Sequence, residues 1–161
     1  MDIRLLRHAT LVIDWGDVSL LVDPMLSQAE AMDPIPNASN DRRIPLVDLP
    51  VDDAELRGVI DGVDGVLVTH VHRDHWDARA IELIPKDKLI LTQPASFEAI
   101  AGAGFTNVSA IEDAHEWNGL SLTRTGGHHG TGEIEKLMGV VSGFVMRHVD
   151  RPVVYLAGDT L

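Results

Sequence analysis

The chain has 161 residues, of which 45% are hydrophobic, so it can bury a core of its own and is expected to form one soluble globular domain. Its 13 basic and 25 acidic side chains give a formal net charge of −12 without a long basic cluster, which excludes nucleic acid as an expected partner. The absence of cysteine excludes disulfides and thiolate ligands and is compatible with the cytoplasm, where we expect the protein. No stretch approaches the roughly 18 apolar residues of a membrane span.

The first part of the chain is predicted to form a β-meander. Strands are predicted over residues 3–6, 10–14 and 19–22, with a turn at Gly16-Asp17. Five of the eight prolines lie from Pro24 to Pro50, so residues 24–50 are predicted to be an irregular loop. Such a loop can be a lid or a pocket wall, and it can equally be a structural excursion without a ligand role.

Helix and strand patterns alternate from residue 52 onwards. Helices are predicted over 52–60, 78–84 and 96–103, and strands over 66–68, 89–91 and around Val108. Asn118-Gly119 indicates a two-residue hairpin. The last strands are predicted over 140–146 and 153–157, with His148 in the turn between them.

A cluster of potential metal ligands follows the buried strand at 66–68. His70, His72, Asp74 and His75 form the pattern His-x-His-x-Asp-His. Alternate residues of an extended segment face the same way, so His70 and His72 can grip one cation, while Asp74 and His75 point at a neighbouring position. The spacing therefore predicts two adjacent metal sites. Imidazole and carboxylate suit zinc and also iron or manganese, so the metal stays open.

Two later segments contain further candidates. His128 and His129 lie among glycines, which let the backbone approach a site closely, and Asp159 ends an apolar strand. Each pattern alone is also typical of a plain surface turn. The first motif favours their interpretation as metal ligands, because a metal site draws its ligands from several strand ends.

Together these motifs resemble the metallo-β-lactamase superfamily, whose signature is a His-x-His-x-Asp-His loop, a later His, a bridging Asp and a final His. The similarity runs from Arg7-His8-Ala9-Thr10 through Leu21-Val22-Asp23-Pro24 to Gly158-Asp159-Thr160. Within the superfamily, the chain is most similar to the branch with ascorbate-6-phosphate lactonases and N-acyl-phosphatidylethanolamine phospholipase D. The resemblance implies an α/β fold, a four-layer αβ/βα sandwich of two mixed sheets with helices outside.

The resemblance also implies a set of metal ligands made of histidine and aspartate. The set is His70, His72 and His129 for one cation, Asp74 and His75 for a second, and Asp159 bridging the two. One or two divalent ions are therefore expected, zinc first, with manganese or iron as alternatives. Asp74 or Asp159 is the expected catalytic group that accepts or relays a proton.

Three further residues receive supporting roles from the resemblance. His129 is preferred to His128 as the ligand, and His128 could instead line the substrate pocket. His8 and Asp23 match positions near the site and are expected to orient ligands through hydrogen bonds. Ordinary strand-end hydrogen bonding is the alternative for both.

The function that the resemblance implies is hydrolysis of a small molecule by metal-activated water, at an ester, lactone, phosphodiester or amide bond. A non-catalytic metal-binding domain and a di-iron redox protein are the alternatives. The family continues to a last His after its bridging Asp, whereas this chain ends at Leu161. The C-terminal part of the domain is therefore expected to be missing, and a homo-oligomer or a completing chain is an expected partner.

Overall fold

The computed structural model describes residues 1–36 and 39–161, and these residues form two β-sheets and four α-helices. The strands are β1 (Asp2–Arg7), β2 (Thr10–Asp14), β3 (Ser19–Val22), β4 (Gly65–Val68), β5 (Leu89–Thr92), β6 (Val108–Ala110), β7 (Ala114–Trp117), β8 (Leu120–Thr125), β9 (Gly143–His148) and β10 (Val154–Leu156). The helices are α1 (Asp53–Gly62), α2 (Ala78–Leu83), α3 (Phe97–Gly102) and α4 (Glu133–Met138). A 3-10 turn at Pro94–Ser96 precedes α3.

The larger sheet combines a meander with a parallel half. Its order is β1-β2-β3-β4-β5-β6, antiparallel from β1 to β3 and parallel from β3 to β6. The smaller sheet has the order β10-β9-β8-β7 and is antiparallel throughout its described strands, where the sequence had led us to expect a mixed sheet. Because β3, β4 and β5 are parallel neighbours, the residues that follow them meet at one edge.

Alternating apolar residues of the larger sheet fill two cores. Leu21, Val66 and Ile90 face the helices, while their neighbours Leu20, Leu67 and Leu91 face the smaller sheet. The partners across the two interfaces are Leu56, Ile60 and Ile100 of the helices, and Leu122, Phe144 and Met146 of the smaller sheet. The described residues thus form a helix layer and two facing sheets. Tyr155 of β10 stays exposed, and α4 buries none of its side chains, so these residues supply no outer helix layer on the smaller sheet.

Local signals explain most element boundaries. Helix α1 begins after Asp52, whose carboxylate accepts a hydrogen bond from Glu55 N at 2.8 Å, while the Glu55 side chain accepts one from Asp52 N. This capping box fixes the start of the helix within a residue of the predicted position. The hairpin predicted at Asn118-Gly119 joins β7 to β8, and both residues have positive φ, 48° and 79°.

Two predictions at the C-terminal end were wrong. The strand predicted over 140–146 is shifted, since β9 spans Gly143–His148, and His148 ends this strand instead of lying in the turn. The residues before β9 bond to Gln93 instead. Gln93 Nε2 donates to Val140 O at 2.7 Å, and Ser142 Oγ donates to Gln93 Oε1 at 2.8 Å. Helix α4 was not predicted, because its apolar repeat of Ile134, Leu137 and Met138 is confined to six residues between Gly132 and Gly139.

The segment predicted to be irregular contains no helix or strand among its described residues. Asn37 and Ala38 lie outside the described residues, and we call the whole stretch the 24–50 segment. Met32 and Ile44 form its one described bridge, through N–H···O bonds of 2.7 and 3.0 Å. None of the helices over residues 1–36 and 39–161 has the length and apolar character that crossing a bilayer requires.

Candidate metal centre

The histidine loop, residues 69–77, begins where β4 ends. Every residue of β4 is buried, so the loop starts from a fixed point in the core. The imidazole atoms His70 Nε2 and His72 Nδ1 lie 3.0 Å apart. The chain then turns, because His75 N donates to His72 O at 2.9 Å. The turn brings His75 back towards His70, and their ring centroids are 4.1 Å apart.

Asp23 holds two of these imidazoles. It follows β3, beside the start of the loop, and accepts hydrogen bonds from Thr69 N at 2.7 Å, Thr69 Oγ1 at 2.8 Å and His75 Nδ1 at 2.9 Å. The Thr69 hydroxyl proton is therefore engaged, so Thr69 Oγ1 accepts from His70 Nδ1, 3.0 Å away. Asp23 thereby fixes the Nδ1 proton of His75 directly and that of His70 through Thr69. The Nε2 atom of each ring is left for the cluster.

His129 and Asp159 reach the same place from the smaller sheet. His129 follows β8 and Asp159 follows β10. The carboxylate Oδ2 of Asp159 lies 3.2 Å from His129 Nε2 and 3.9 Å from His70 Nε2, and its Oδ1 lies 3.0 Å from His75 Nε2. One carboxylate therefore stands between imidazoles that come from both sheets.

Two glycines make this convergence possible. A Cβ atom at Gly127 would lie 2.9 Å from Val141 O, and one at Gly158 would lie 2.8 Å from Ser142 O. Gly158 also has a φ of 60°. A side chain at either position would push these two segments apart. The sequence predicted such a close backbone approach for the glycines around His128 and His129, to which Gly127 belongs, but not for Gly158.

The structure brings all six predicted ligands together. Three groups of three residues are candidates for holding a metal ion, and within each group the ligand atoms lie within 4.8 Å of one another. They are His70, His72 and His129; His70, His75 and Asp159; and His8, Asp74 and His75.

His8 and His128 occupy different surroundings. His8 Nε2 lies 3.7 Å from Asp74 Oδ2, which is too long for the orienting hydrogen bond that we expected of it. The His128 side chain is 74% exposed, and its Nδ1 contacts Glu135 Oε1 of α4. His128 is thus turned to the surface, and its neighbour His129 is the one that joins the cluster.

The electrostatics distinguish the two imidazoles that Asp23 holds. Burial and the neighbouring His75 and His72 lower the pKa of His70 to about 3, so its ring is neutral. Burial alone would lower the pKa of His75, but its contacts with Asp159 and Asp23 raise it to about 10. The position at His75 Nε2 therefore favours a positive charge.

Asp74 and Asp159, the two carboxylates among the candidate ligands, are held in their ionised form. Contact with His75 lowers the pKa of Asp159. Burial would raise the pKa of Asp74, but contact with His8 and the charge of His75 lower it overall. Burial raises the pKa of Asp23, and the hydrogen bonds that it accepts oppose this effect.

The arrangement fits a divalent cation. His75 Nε2 is buried without a hydrogen-bond partner, although Asp159 Oδ1 is only 3.0 Å away. His70 Nε2 faces His72 Nδ1 at hydrogen-bond distance, with its own proton on the other nitrogen. Imidazole nitrogens and carboxylate oxygens that turn inward together are the donors preferred by zinc and similar ions.

Sequence reasoning missed three residues that build the site. The Thr69 hydroxyl connects Asp23 to His70 through two hydrogen bonds. The position of Thr69 directly before the motif could have indicated this role. Arg7 and Arg73 hold the neighbouring 24–50 segment. Arg73 Nη2 donates to Asp33 O and Pro34 O, each at 2.7 Å. No local pattern indicates these long-range partners.

Two facing sheets with histidines and aspartates gathered at their strand ends define an α/β protein with a metallo-hydrolase fold. The chain belongs to the beta-lactamase superfamily, since the family described as "Beta-lactamase superfamily domain" matches residues 2–158. The resemblance drawn from the sequence motifs is thereby confirmed.

Named relatives support the same placement. The chain is 37% identical over 164 residues to the UPF0173 protein YddR of Bacillus subtilis (strain 168), covering 100% of this chain and 63% of YddR. A possible metal-dependent hydrolase from Veillonella parvula DSM 2008 superposes with a TM-score of 0.92 at 35% identity, over 99% of this chain and 63% of that one. An isothiocyanate hydrolase from Delia radicum gut bacteria gives 0.90 at 36% identity, over 100% and 64%. The chain therefore spans slightly less than two thirds of the length of these relatives. The expected α/β fold with two sheets is confirmed.

Proposed function

We propose that this chain carries the metal site of a metal-dependent hydrolase. In this proposal His70, His72 and His129 bind one divalent cation, Asp74 and His75 bind a second, and Asp159 lies between the two. The observation that carries it is the convergence of imidazole nitrogens and carboxylate oxygens from separate strand ends of both sheets. Zinc is the first candidate ion, with manganese and iron as alternatives.

The protein's own groups have clear tasks in such a reaction. A divalent cation would supply Lewis acidity, which lowers the pKa of water and polarises the substrate. Asp74 and Asp159 are ionised near neutral pH and can accept a proton from the attacking water. Asp23 and Thr69 keep His70 and His75 aimed at the cluster. The Thr69 hydroxyl is engaged with Asp23, so it is not offered as a nucleophile.

The proposal also covers the type of bond that is cleaved. Ester, lactone, phosphodiester and amide bonds are candidates from the superfamily resemblance. Similarity to an isothiocyanate hydrolase adds R–N=C=S as a candidate substrate. Addition of water across the C=N bond would give the thiocarbamic acid R–NH–C(=O)–SH, which splits into the amine R–NH2 and carbonyl sulfide.

The test is to measure bound metal and turnover in the same protein samples. Wild type, the double variant His70→Ala plus His72→Ala, and His115→Ala are assayed on esters, lactones, phosphodiesters, amides and isothiocyanates. His115 lies on β7, outside the ligand groups, so its removal controls for the loss of any histidine. The double variant is expected to lose both metal and turnover, and His115→Ala neither. Unchanged turnover in a metal-free double variant would contradict the proposal.

A further inference from the structure

A cavity of about 450 Å³ opens beside the ligand cluster. Its walls are apolar and come mainly from the 24–50 segment. They are formed by Met25, Ile35, Ile44, Pro45, Leu46 and Val47. Its polar end is formed by His8 and Asp74, and both belong to the ligand group that includes His75. The volume lies in the range of roughly 300–1,000 Å³ that is typical of small-molecule sites.

The guanidinium of Arg7 is engaged by the backbone of the 24–50 segment. Arg7 also lines the cavity, and among its described lining residues this is the only lysine or arginine. Arg7 as a residue is 5% exposed, and its guanidinium donates to Ser27 O at 2.8 Å, to Val47 O at 3.0 Å and to Met25 O. Nε alone lacks a partner, and it is buried. Both Nη atoms are therefore engaged by backbone carbonyls, and the side chains of the cavity walls have little to offer a phosphate or a carboxylate.

A second hollow lies at the opposite end of the parallel strands from the 450 Å³ cavity. This hollow, of about 540 Å³, is lined by Asp64, Lys88 and Trp117 among others. Asp64 and Lys88 directly precede β4 and β5, so this hollow lies at the amino ends of the parallel strands. None of its described lining residues is a candidate ligand. The 450 Å³ cavity lies at the carboxyl ends, where sheets of this kind bind their ligands.

We propose that this cavity binds the apolar tail of a small neutral substrate, with the bond to be cleaved placed at the end formed by His8 and Asp74. This inference rests on the proposed hydrolase function, because it assigns the substrate class of the same site. A charged tail would lose its hydration among aliphatic side chains without gaining a partner. Each methylene buried there should instead tighten binding about fourfold, the equivalent of about 0.8 kcal/mol.

The decisive comparison uses two probes of similar shape and opposite charge state. Neutral 2-phenylethanol and anionic phenylacetate are titrated into the protein, and binding is followed by calorimetry or by ligand-observed NMR. The variant is Val47→Asp, since Val47 lines the cavity and is 60% exposed, so the substitution leaves the core intact. The matched control is Val153→Asp, which is 58% exposed and lies beside β10 on the smaller sheet.

The inference predicts that 2-phenylethanol binds and phenylacetate does not. Val47→Asp should weaken phenylethanol binding about tenfold, with bound metal unchanged, and Val153→Asp should leave it unaltered. Equal binding of the two probes, or an unaltered affinity in Val47→Asp, would overturn the inference.

The kinetic arm separates this inference from the hydrolase proposal. For any ester that is turned over, lengthening the acyl chain from butyrate to hexanoate should lower KM, and Val47→Asp should abolish this gain. Turnover that does not depend on chain length would count against the cavity. Retained phenylethanol binding without turnover of any substrate would count against hydrolysis and for the cavity as a binding site.

Discussion

The histidine loop and the 24–50 segment meet at one site but are held in different ways. The loop continues a buried strand of the sheet, and Asp23 fixes its side chains from the neighbouring strand end. The 24–50 segment has no strand or helix in its described part, and arginine side chains hold its backbone from outside. Chemistry is thus built on the rigid sheet, whereas the shape of the cavity depends on a few side chain to backbone bonds. Substitutions can therefore alter the cavity and leave the metal ligands in place.

The largest effect should come from removing the arginine that holds both ends of the segment. Arg7→Met leaves the carbonyls of Met25, Ser27 and Val47 without their charged donor, and unfolding free energy should fall by about 3 kcal/mol. Urea unfolding measures this, with Arg4→Met, an exposed arginine of the same strand, as the control within about 0.5 kcal/mol of wild type. Metal content should be unchanged. Loss of metal in Arg7→Met would show that the two regions are not separable.

The next effect addresses the histidine loop. Asp23→Asn loses the acceptor oxygen that holds Thr69 Oγ1 and His75 Nδ1, and metal affinity should fall about 10- to 100-fold. A competition titration with a chelating dye measures it. Asp64→Asn is the matched control, because Asp64 also accepts bonds from a backbone N–H and a hydroxyl, those of Ser19, at the opposite end of the strands. Equal affinities in the two variants would refute the orienting role of Asp23.

A change of pH separates the two imidazoles that Asp23 holds. With a pKa of about 10, His75 carries a proton at pH 7 in the metal-free protein, and a cation must displace it. Metal affinity should therefore rise about tenfold per unit between pH 6 and 8, with release of one proton from His75. The neutral His70 ring adds nothing to this dependence. Calorimetry in buffers of different ionisation enthalpy counts the protons, and an affinity independent of pH would contradict the assignment.

The smallest effect concerns the relay from Asp23 to His70. Thr69→Val keeps the shape of the side chain but removes the oxygen that bonds to Asp23 and His70. Metal affinity should fall about fivefold, the equivalent of about one hydrogen bond. Thr69→Ser restores the hydroxyl and should return the affinity to that of wild type. A serine variant as weak as the valine variant would assign the effect to packing.

The difference between the two regions also explains what the sequence could predict. Strands such as β2 and β3 and the run from β4 to α3 follow local apolar patterns, so their positions were predicted within about two residues. The candidate ligands could be predicted from the sequence because His70, His72, Asp74 and His75 stand close together in the chain.

Features that depend on distant partners were not accessible. Arg7 bonds to Val47, 40 residues away, and Thr69 to Asp23, 46 residues away. The start of β9 was placed wrongly because Gln93 engages the residues before it. The surface position of His128 depends on Glu135, which lies in a helix of six residues that was not predicted.

The central claim is that imidazoles and carboxylates from both sheets surround a metal ion, and anomalous X-ray diffraction from zinc-loaded crystals tests it most directly. The account predicts a zinc peak about 2.0–2.1 Å from ligand nitrogens of His70, His72 and His129. A zinc peak elsewhere, or none at these three side chains, would contradict it.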